Sequence, residues 1–182
     1  MKERARKTTL TVPNAKTGVR EARDLYLAEN GFSVEEYEKD YGWLIILGLR
    51  ITIPNSKGRK RGFPLHDLHH VALGFGTDLA GECEVSAWEI RNGTKGFGWF
   101  VTYLILQAAV FGLVTNPRRT FAAWRSARDH RSLYVAPLPY DMMLAMTVGQ
   151  LRAHLGVPSG GIATTTPKPH QGAPLLGEPL QA

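Results

Sequence analysis

Three histidines and an aspartate lie within five positions of the segment LHDLHH, residues 65–70. In a helix each residue turns by about 100°, which places His70 about 40° and Asp67 about 100° from His66. Imidazole nitrogens and carboxylate oxygens on one helix face are typical ligands of zinc, iron or manganese. A solvated polar face is the alternative interpretation. His69, at the edge of this face, fits a ligand, an outer partner of a ligand or a surface residue.

A fourth ligand candidate follows a glycine-bearing turn. Eleven residues separate His70 from Glu82, and they include the sequence GFGTD of residues 74–78. Such a turn lets the chain reverse, and Thr77 or Asp78 can cap the helix that follows. If the second helix runs antiparallel to the first, its first turn brings Glu82 beside the end of the histidine-bearing helix.

Helical periodicity accounts for most of the chain. Residues 43–55 are rich in Leu and Ile and predict a short extended segment or hairpin, and SKGRKRG (56–62) predicts a basic loop. We therefore predict an all-α fold, with a single helical domain over residues 19–155. The predicted helices cover residues 18–30, 64–73 with Pro64 in the first turn, 79–92, 97–115 and 120–135, with a short helix capped by Ser33 and Glu36 and two more capped by Asp141 and Thr147.

The two ends of the chain have compositions that do not favour a packed core. Residues 1–18 predict a mobile basic arm, and residues 156–182, with five Pro and five Gly, predict a disordered tail. The single cysteine, Cys83, excludes a disulfide within the chain and a cysteine-based zinc site.

The ligand candidates carry a resemblance to a known family. His66, Asp67, His70 and Glu82 form the pattern H-D-x-x-H, eleven residues, then E, which resembles the signature of the coenzyme Q (ubiquinone) biosynthesis protein 4 family. The segments GTDLAGE, AWEI and MTVGQLRAHLGVP are also similar to members of that family, and the similarity extends over residues 29–158.

This resemblance implies a mostly helical protein that holds a metal, usually taken as zinc, on those four residues. It implies a polyprenylated ring precursor of ubiquinone as ligand and a peripheral place on the cytoplasmic side of a membrane. It leaves open whether the metal site removes the ring carboxylate of a polyprenyl-hydroxybenzoate or the protein organises the biosynthetic complex without catalysis. Other quinone-biosynthesis proteins and a second copy of the chain are further implied partners.

The charge and an apolar run point to a membrane as well. The formal charge is +6, and residues 97–115 form a run of 19 uncharged residues. At 1.5 Å per residue this run is about 28 Å long, close to the roughly 30 Å of a bilayer core. It predicts either a membrane span or a buried helix along which a prenyl tail lies. Arg118 and Arg119 follow it and could attract an anionic headgroup.

The helix predicted at 120–135 combines aromatic and basic residues, which suits an anionic membrane surface or an ordinary solvated helix. No zinc-finger, RNA-recognition or helix-turn-helix signature accompanies the basic charge, so nucleic acid is not an expected partner. A di-iron site needs a second Glu-x-x-His, which the chain lacks. For a metal-dependent phosphohydrolase, Asp129 and His130 are the only further ligand pair.

Overall fold

The protein is described by a computed structural model that covers residues 12–46, 49–95 and 97–163. The all-α prediction is confirmed: helices form the domain, and the extended segment near 43–55 is a single antiparallel hairpin in which Tyr41 is paired with Pro54. The helices are α1 (Val19–Glu29), α2 (Lys57–Leu73), α3 (Leu79–Asn92), α4 (Gly98–Thr115), α5 (Pro117–Ser126), α6 (Tyr140–Leu144) and α7 (Val148–Leu155), with 3-10 turns at Val34–Glu38 and Ala127–Asp129, and the strands are β1 (Tyr41–Ile46) and β2 (Leu49–Pro54).

The core forms where α2 and α3 pack with α1 and α7. Leu68 of α2, Trp88 of α3 and Leu151 of α7 are completely buried in it. Leu68 lies on the side of α2 opposite the histidine pair, as the apolar back of the predicted helix requires. This core fixes α2 and α3 against each other, and these two helices carry the ligand candidates.

The turn between α2 and α3 depends on glycine. Gly74 ends α2 in the left-handed conformation, with φ of 84°, and donates its N–H to the His70 carbonyl. A Cβ on Gly81 would lie 2.0 Å from the carbonyl oxygen of Gly76, so only glycine permits this close return. Asp78 caps α3 by accepting from the Gly81 N–H, as predicted.

Helix α2 begins earlier than predicted. The segment 56–62 is not a loop but the cap and first turns of α2, and Pro64 lies inside the helix. Ser56 accepts from the Arg59 N–H and provides the cap, while Lys60 pairs with Asp40 at 2.9 Å. The Ser56 cap and the Lys60–Asp40 pair offset the loss of the one backbone hydrogen bond that a proline removes.

The basic helix predicted at 120–135 is also wrong in extent, because α5 ends at Ser126. Leu133 is fully buried and its N–H donates to His69 Nε2 at 2.9 Å, so a tertiary contact draws this stretch out of the helix. The predicted capping box at Ser33 is absent, and Val34–Glu38 is a 3-10 turn without a side-chain cap. Thr147 does form the capping box predicted for α7.

The packed domain extends beyond the predicted limits of 19 and 155. Thr17 accepts from the Val148 N–H at 2.8 Å, and the N–H of Ile162 donates to the Leu73 carbonyl at 2.9 Å. The buried guanidinium of Arg152 supports the second contact by donating to the Ala72 carbonyl at 2.7 Å. The rest of the predicted arm (1–11) and tail (164–182) lies outside the described residues.

Helix α4 has two unlike faces. Val101, Ile105, Ala109 and Gly112 form a buried stripe, and Gly112 lies closely against α3 and α5. The opposite side, which we call the α4 apolar face, is solvent-exposed. Among the described residues α4 is the one helix long and apolar enough to cross a membrane, and 17% of it is buried. The α4 apolar face comprises Trp99, Tyr103, Leu106, Val110, Leu113 and Val114.

Candidate metal centre

Helices α2 and α3 bring His66, His70 and Glu82 together. The Nε2 atom of His66 lies 3.3 Å from Nε2 of His70 and 3.3 Å from Oε2 of Glu82. The Nε2 atom of His70 lies 3.5 Å from the other carboxylate oxygen of Glu82, Oε1. One ligand atom from each residue lies within 4.8 Å of the others, so this group, which we call the ligand triad, could hold a metal ion.

The spacing of the two imidazole nitrogens fits a tetrahedral ion. Zinc binds imidazole nitrogen and carboxylate oxygen at roughly 2.0–2.2 Å. In a tetrahedron such bonds separate neighbouring ligand atoms by about 3.3–3.5 Å. The two imidazole Nε2 atoms are 3.3 Å apart, and the Glu82 carboxylate offers Oε2 to His66 at 3.3 Å and Oε1 to His70 at 3.5 Å. Three protein ligands leave a fourth position for water or a ligand atom, as in catalytic zinc sites.

Hydrogen bonds orient both imidazoles. The Nδ1 of His70 lies 3.1 Å from the Phe75 carbonyl, which can only accept, so Nδ1 carries the proton and Nε2 presents its lone pair to the ligand triad. The Nδ1 of His66 lies 2.9 Å from Oε1 of Glu89, which fixes that ring in the same way. Carboxylates and carbonyls behind metal-binding histidines set the tautomer and raise the basicity of the ligand.

Glu89 is the functional residue that sequence reasoning missed. Its side chain is fully buried, and its Oε1 is also 2.7 Å from Nδ1 of His69. His69 in turn accepts from the Leu133 N–H through Nε2, so it is neutral and belongs to the outer support, not to the ligand triad. The available signal was the position of Glu89 two helical turns after Glu82, on the same side of α3.

The charges in this cluster stabilise one another. Burial opposes ionisation of Glu82, but His70 and His66 lower the pKa of its carboxyl to about 2. Burial likewise opposes charge on His66, yet the Glu89 and Glu82 carboxylates raise its pKa well above the usual range. A metal cation would replace the proton of His66 as the positive partner of these two carboxylates.

We expect Glu89→Gln to weaken metal binding without removing a ligand. The amide keeps one acceptor but loses the charge that supports His66 and His69, and loss of such a partner costs about 10- to 100-fold in affinity. Competition of the purified protein with a chelating dye measures the effect. Glu84→Gln is the matched control, since Glu84 is a buried glutamate of the same helix that pairs with Arg119 instead. Equal affinity of Glu89→Gln and wild type would contradict this role.

Asp67 lies outside the ligand triad. Its carboxylate accepts from the Tyr37 hydroxyl at 2.5 Å and from the Tyr26 hydroxyl at 3.5 Å, and burial raises its pKa. The Tyr26 ring stacks on His70 with centroids 5.5 Å apart. Asp67 therefore contacts the hydroxyl of the tyrosine that stacks on His70, and its predicted role as a direct ligand stays a prediction.

The two arginines predicted to attract a headgroup differ in their contacts. Arg119 donates to both carboxylate oxygens of Glu84, at 3.1 and 2.7 Å, and thereby joins α5 to α3. This bidentate pair occupies its guanidinium. Arg118 is exposed. Of the two, Arg118 is the better placed to meet an anionic surface.

A cleft opens beside the ligand triad. It holds about 670 Å³ of empty space, part of it continuous with solvent. His66 belongs both to the cleft wall and to the ligand triad, so a molecule in the cleft can approach the metal position. The walls are largely apolar and aromatic, with Leu27, Phe32, Tyr37 and Phe63 among the lining residues.

No protein-family model, curated protein or solved structure matches this chain.

Proposed function

We propose that this chain is a metal-binding protein of ubiquinone biosynthesis that works at a membrane surface. The observation that supports the proposal is the ligand triad: the Nε2 atoms of His66 and His70 are 3.3 Å apart, and each has a Glu82 carboxylate oxygen within 3.5 Å. Zinc is the metal we propose, because two imidazoles, one carboxylate and an open fourth position suit it. The assignment to quinone chemistry rests on the sequence resemblance around the same residues.

In this proposal the cleft binds the ring of a polyprenylated hydroxybenzoate. Phe32 and Phe63 provide aromatic surface for the ring, and His66 connects the cleft with the ligand triad. A bound zinc ion would act as a Lewis acid toward a ring oxygen or carboxylate. Glu89 and the Phe75 carbonyl hold the imidazoles of His66 and His70 in the orientation that metal binding requires. These two side chains therefore need no rearrangement before a metal binds.

The exposed side of α4 supports attachment to the membrane. Trp99 is 80% and Val114 78% exposed, although both are large apolar residues. Contiguous exposed apolar surface of this kind marks interaction sites. We propose that the α4 apolar face lies on the bilayer with Arg118 near the headgroups, so that a prenyl tail can pass from the membrane to the cleft.

Purified, zinc-loaded protein incubated with a prenylated hydroxybenzoate tests the catalytic form of the proposal. We expect carbon dioxide release that depends on the metal and is lost in His70→Ala. His154→Ala is the control, because His154 lies on α7 and contacts the Ala136 carbonyl. Binding of the prenylated ring without release would indicate a non-catalytic lipid-binding scaffold that organises the biosynthetic complex. If His70→Ala still restored quinone synthesis in a deficient strain, catalysis at this centre would be excluded.

The second candidate is an integral protein with one span. Helix α4 has a mean hydropathy of 1.7 over 18 residues, which permits this reading. The buried stripe of α4 argues against a membrane span. Gly112 in this stripe lies so close to Cys83 and Thr120 that α4 is an integral part of the helical domain.

A further inference from the structure

A buried arginine in the cleft has no hydrogen-bond partner. Arg59 is 1% exposed, and none of its three guanidinium nitrogens is paired within the described structure. Its nearest support is the Phe63 ring, whose centroid lies 4.4 Å from the guanidinium carbon. Burial lowers the pKa of Arg59 to about 10, so the group remains charged at neutral pH. An unpaired buried charge is strongly destabilising and calls for a counter-charge.

A second unpaired polar atom lies beside it. The Nδ2 of Asn55 donates to the Lys39 carbonyl at 2.8 Å, which leaves Oδ1 directed away from that contact, buried and without a partner. A Cβ on Gly42 would lie 3.2 Å from Nη1 and Nη2 of Arg59 and 3.2 Å from this oxygen. Three unpaired polar atoms therefore surround one small space that the glycine leaves open.

This space is part of the cleft. Gly42, Asn55 and Arg59 all line it, together with Phe32 and Phe63. Arg59 precedes His66 by two turns of α2, about 10 Å along the helix axis.

The cleft also contains two carboxylates, and both already have donors. Asp67 accepts from Tyr37, and Glu36 pairs with Lys39 at 3.5 Å. Neither supplies the missing partner of Arg59, so the counter-charge must come from outside the described chain.

We propose that Arg59 and the space above Gly42 bind the carboxylate of an aromatic acid whose ring lies between Phe32 and Phe63. The planar guanidinium offers Nη1 and Nη2 to the two carboxylate oxygens, the geometry that arginine uses for bidentate recognition. The aromatic walls of the cleft contact the ring of the ligand. Asn55 Oδ1 accepts a hydrogen bond from a hydroxyl of the ligand or from a water bound with it. This inference rests on the proposed function only in taking the cleft as the ligand site.

Calorimetric titration of the full, metal-free chain with benzoate tests the site, with neutral benzamide as the comparison ligand. Wild type should bind benzoate saturably and benzamide at least about tenfold more weakly, since a charged hydrogen bond is lost. Arg59→Met should lose the same preference. It should unfold at the same or a higher temperature than wild type, because it removes a buried unpaired charge.

Gly42→Ala provides an independent variant that keeps the arginine. Its methyl group fills the space between Arg59 and Asn55, so benzoate affinity should again fall at least about tenfold. Gly160→Ala is the control, because a Cβ there meets no atom within 4 Å.

Three results would overturn the inference. The first is no saturable benzoate binding by wild type, and the second is benzoate binding by Arg59→Met and Gly42→Ala as tight as that of wild type. The third is a crystal soaked in benzoate that holds only an ordered water between Arg59 and Asn55. Because the titration uses metal-free protein, its failure leaves the ligand triad and its metal standing, and loss of metal in triad variants leaves this site standing.

Discussion

Wild type should purify with close to one divalent metal ion per chain, whereas His70→Ala and Glu82→Ala should each purify with almost none. Each removes one residue of the ligand triad, in which one ligand atom from each residue lies within 4.8 Å of the others. The loss of affinity should exceed the roughly 10- to 100-fold that removal of an outer partner costs, because a direct bond to the metal disappears. Elemental analysis after dialysis against a weak chelator measures the stoichiometry.

Two controls separate loss of a ligand from loss of the fold. His154→Ala removes a histidine on α7, and Glu21→Ala removes an exposed glutamate on α1; both should keep the wild-type stoichiometry. Circular dichroism should show the same helix content in all four variants, since the core around Leu68 and Trp88 is untouched. Full metal content in either triad variant would refute the centre as described.

Replacing Trp99 and Val114 together by Glu should remove most of the protein from lipid vesicles. Both side chains lie on the α4 apolar face. Burial of a large apolar side chain contributes about 1.5–3 kcal/mol, so losing two costs about 3 kcal/mol or more, which is more than roughly a 100-fold drop in partitioning. Flotation with vesicles containing anionic lipid measures the bound fraction.

The control for that experiment is the pair Leu25→Glu and Met142→Glu. These residues are 52% and 51% exposed but lie on α1 and α6, and the pair should float like wild type. If the attachment is peripheral, as we propose, washing with high salt or alkaline carbonate should release the wild-type protein. Release by detergent alone would instead identify α4 as a membrane span.

Local spacing predicted part of the centre well. His66 and His70 are one helical turn apart, so their shared direction depends on α2 alone. Glu82 joined them because glycines let the chain return, which the sequence GFGTD indicated. Asp67 was harder to place, since its direction depends on the hydroxyls of Tyr26 and Tyr37 on a different part of the chain.

Sequence patterns could not predict the residues whose roles depend on contacts between elements that are distant in the chain. Glu89 reads as an ordinary glutamate in AWEI until α3 is packed against α2, when it becomes the acceptor for two histidines. Arg59 reads as one charge in a basic loop until the segment folds as helix and the hairpin covers it. The end of α5 was misjudged because the hydrogen bond from Leu133 to His69 joins residues 64 positions apart.

The tight turn at Gly81 constrains the number of residues between His70 and Glu82. The carbonyl oxygen of Gly76 occupies the space that a Cβ on Gly81 would need, so the turn is tightly packed. The helices on either side of the turn both contribute to the core. An inserted residue would rotate α3 by about 100° and carry Glu82 off the face that meets the histidines. The eleven intervening residues therefore fix the position and direction of Glu82 relative to His70, and a change in their number should disrupt the ligand triad.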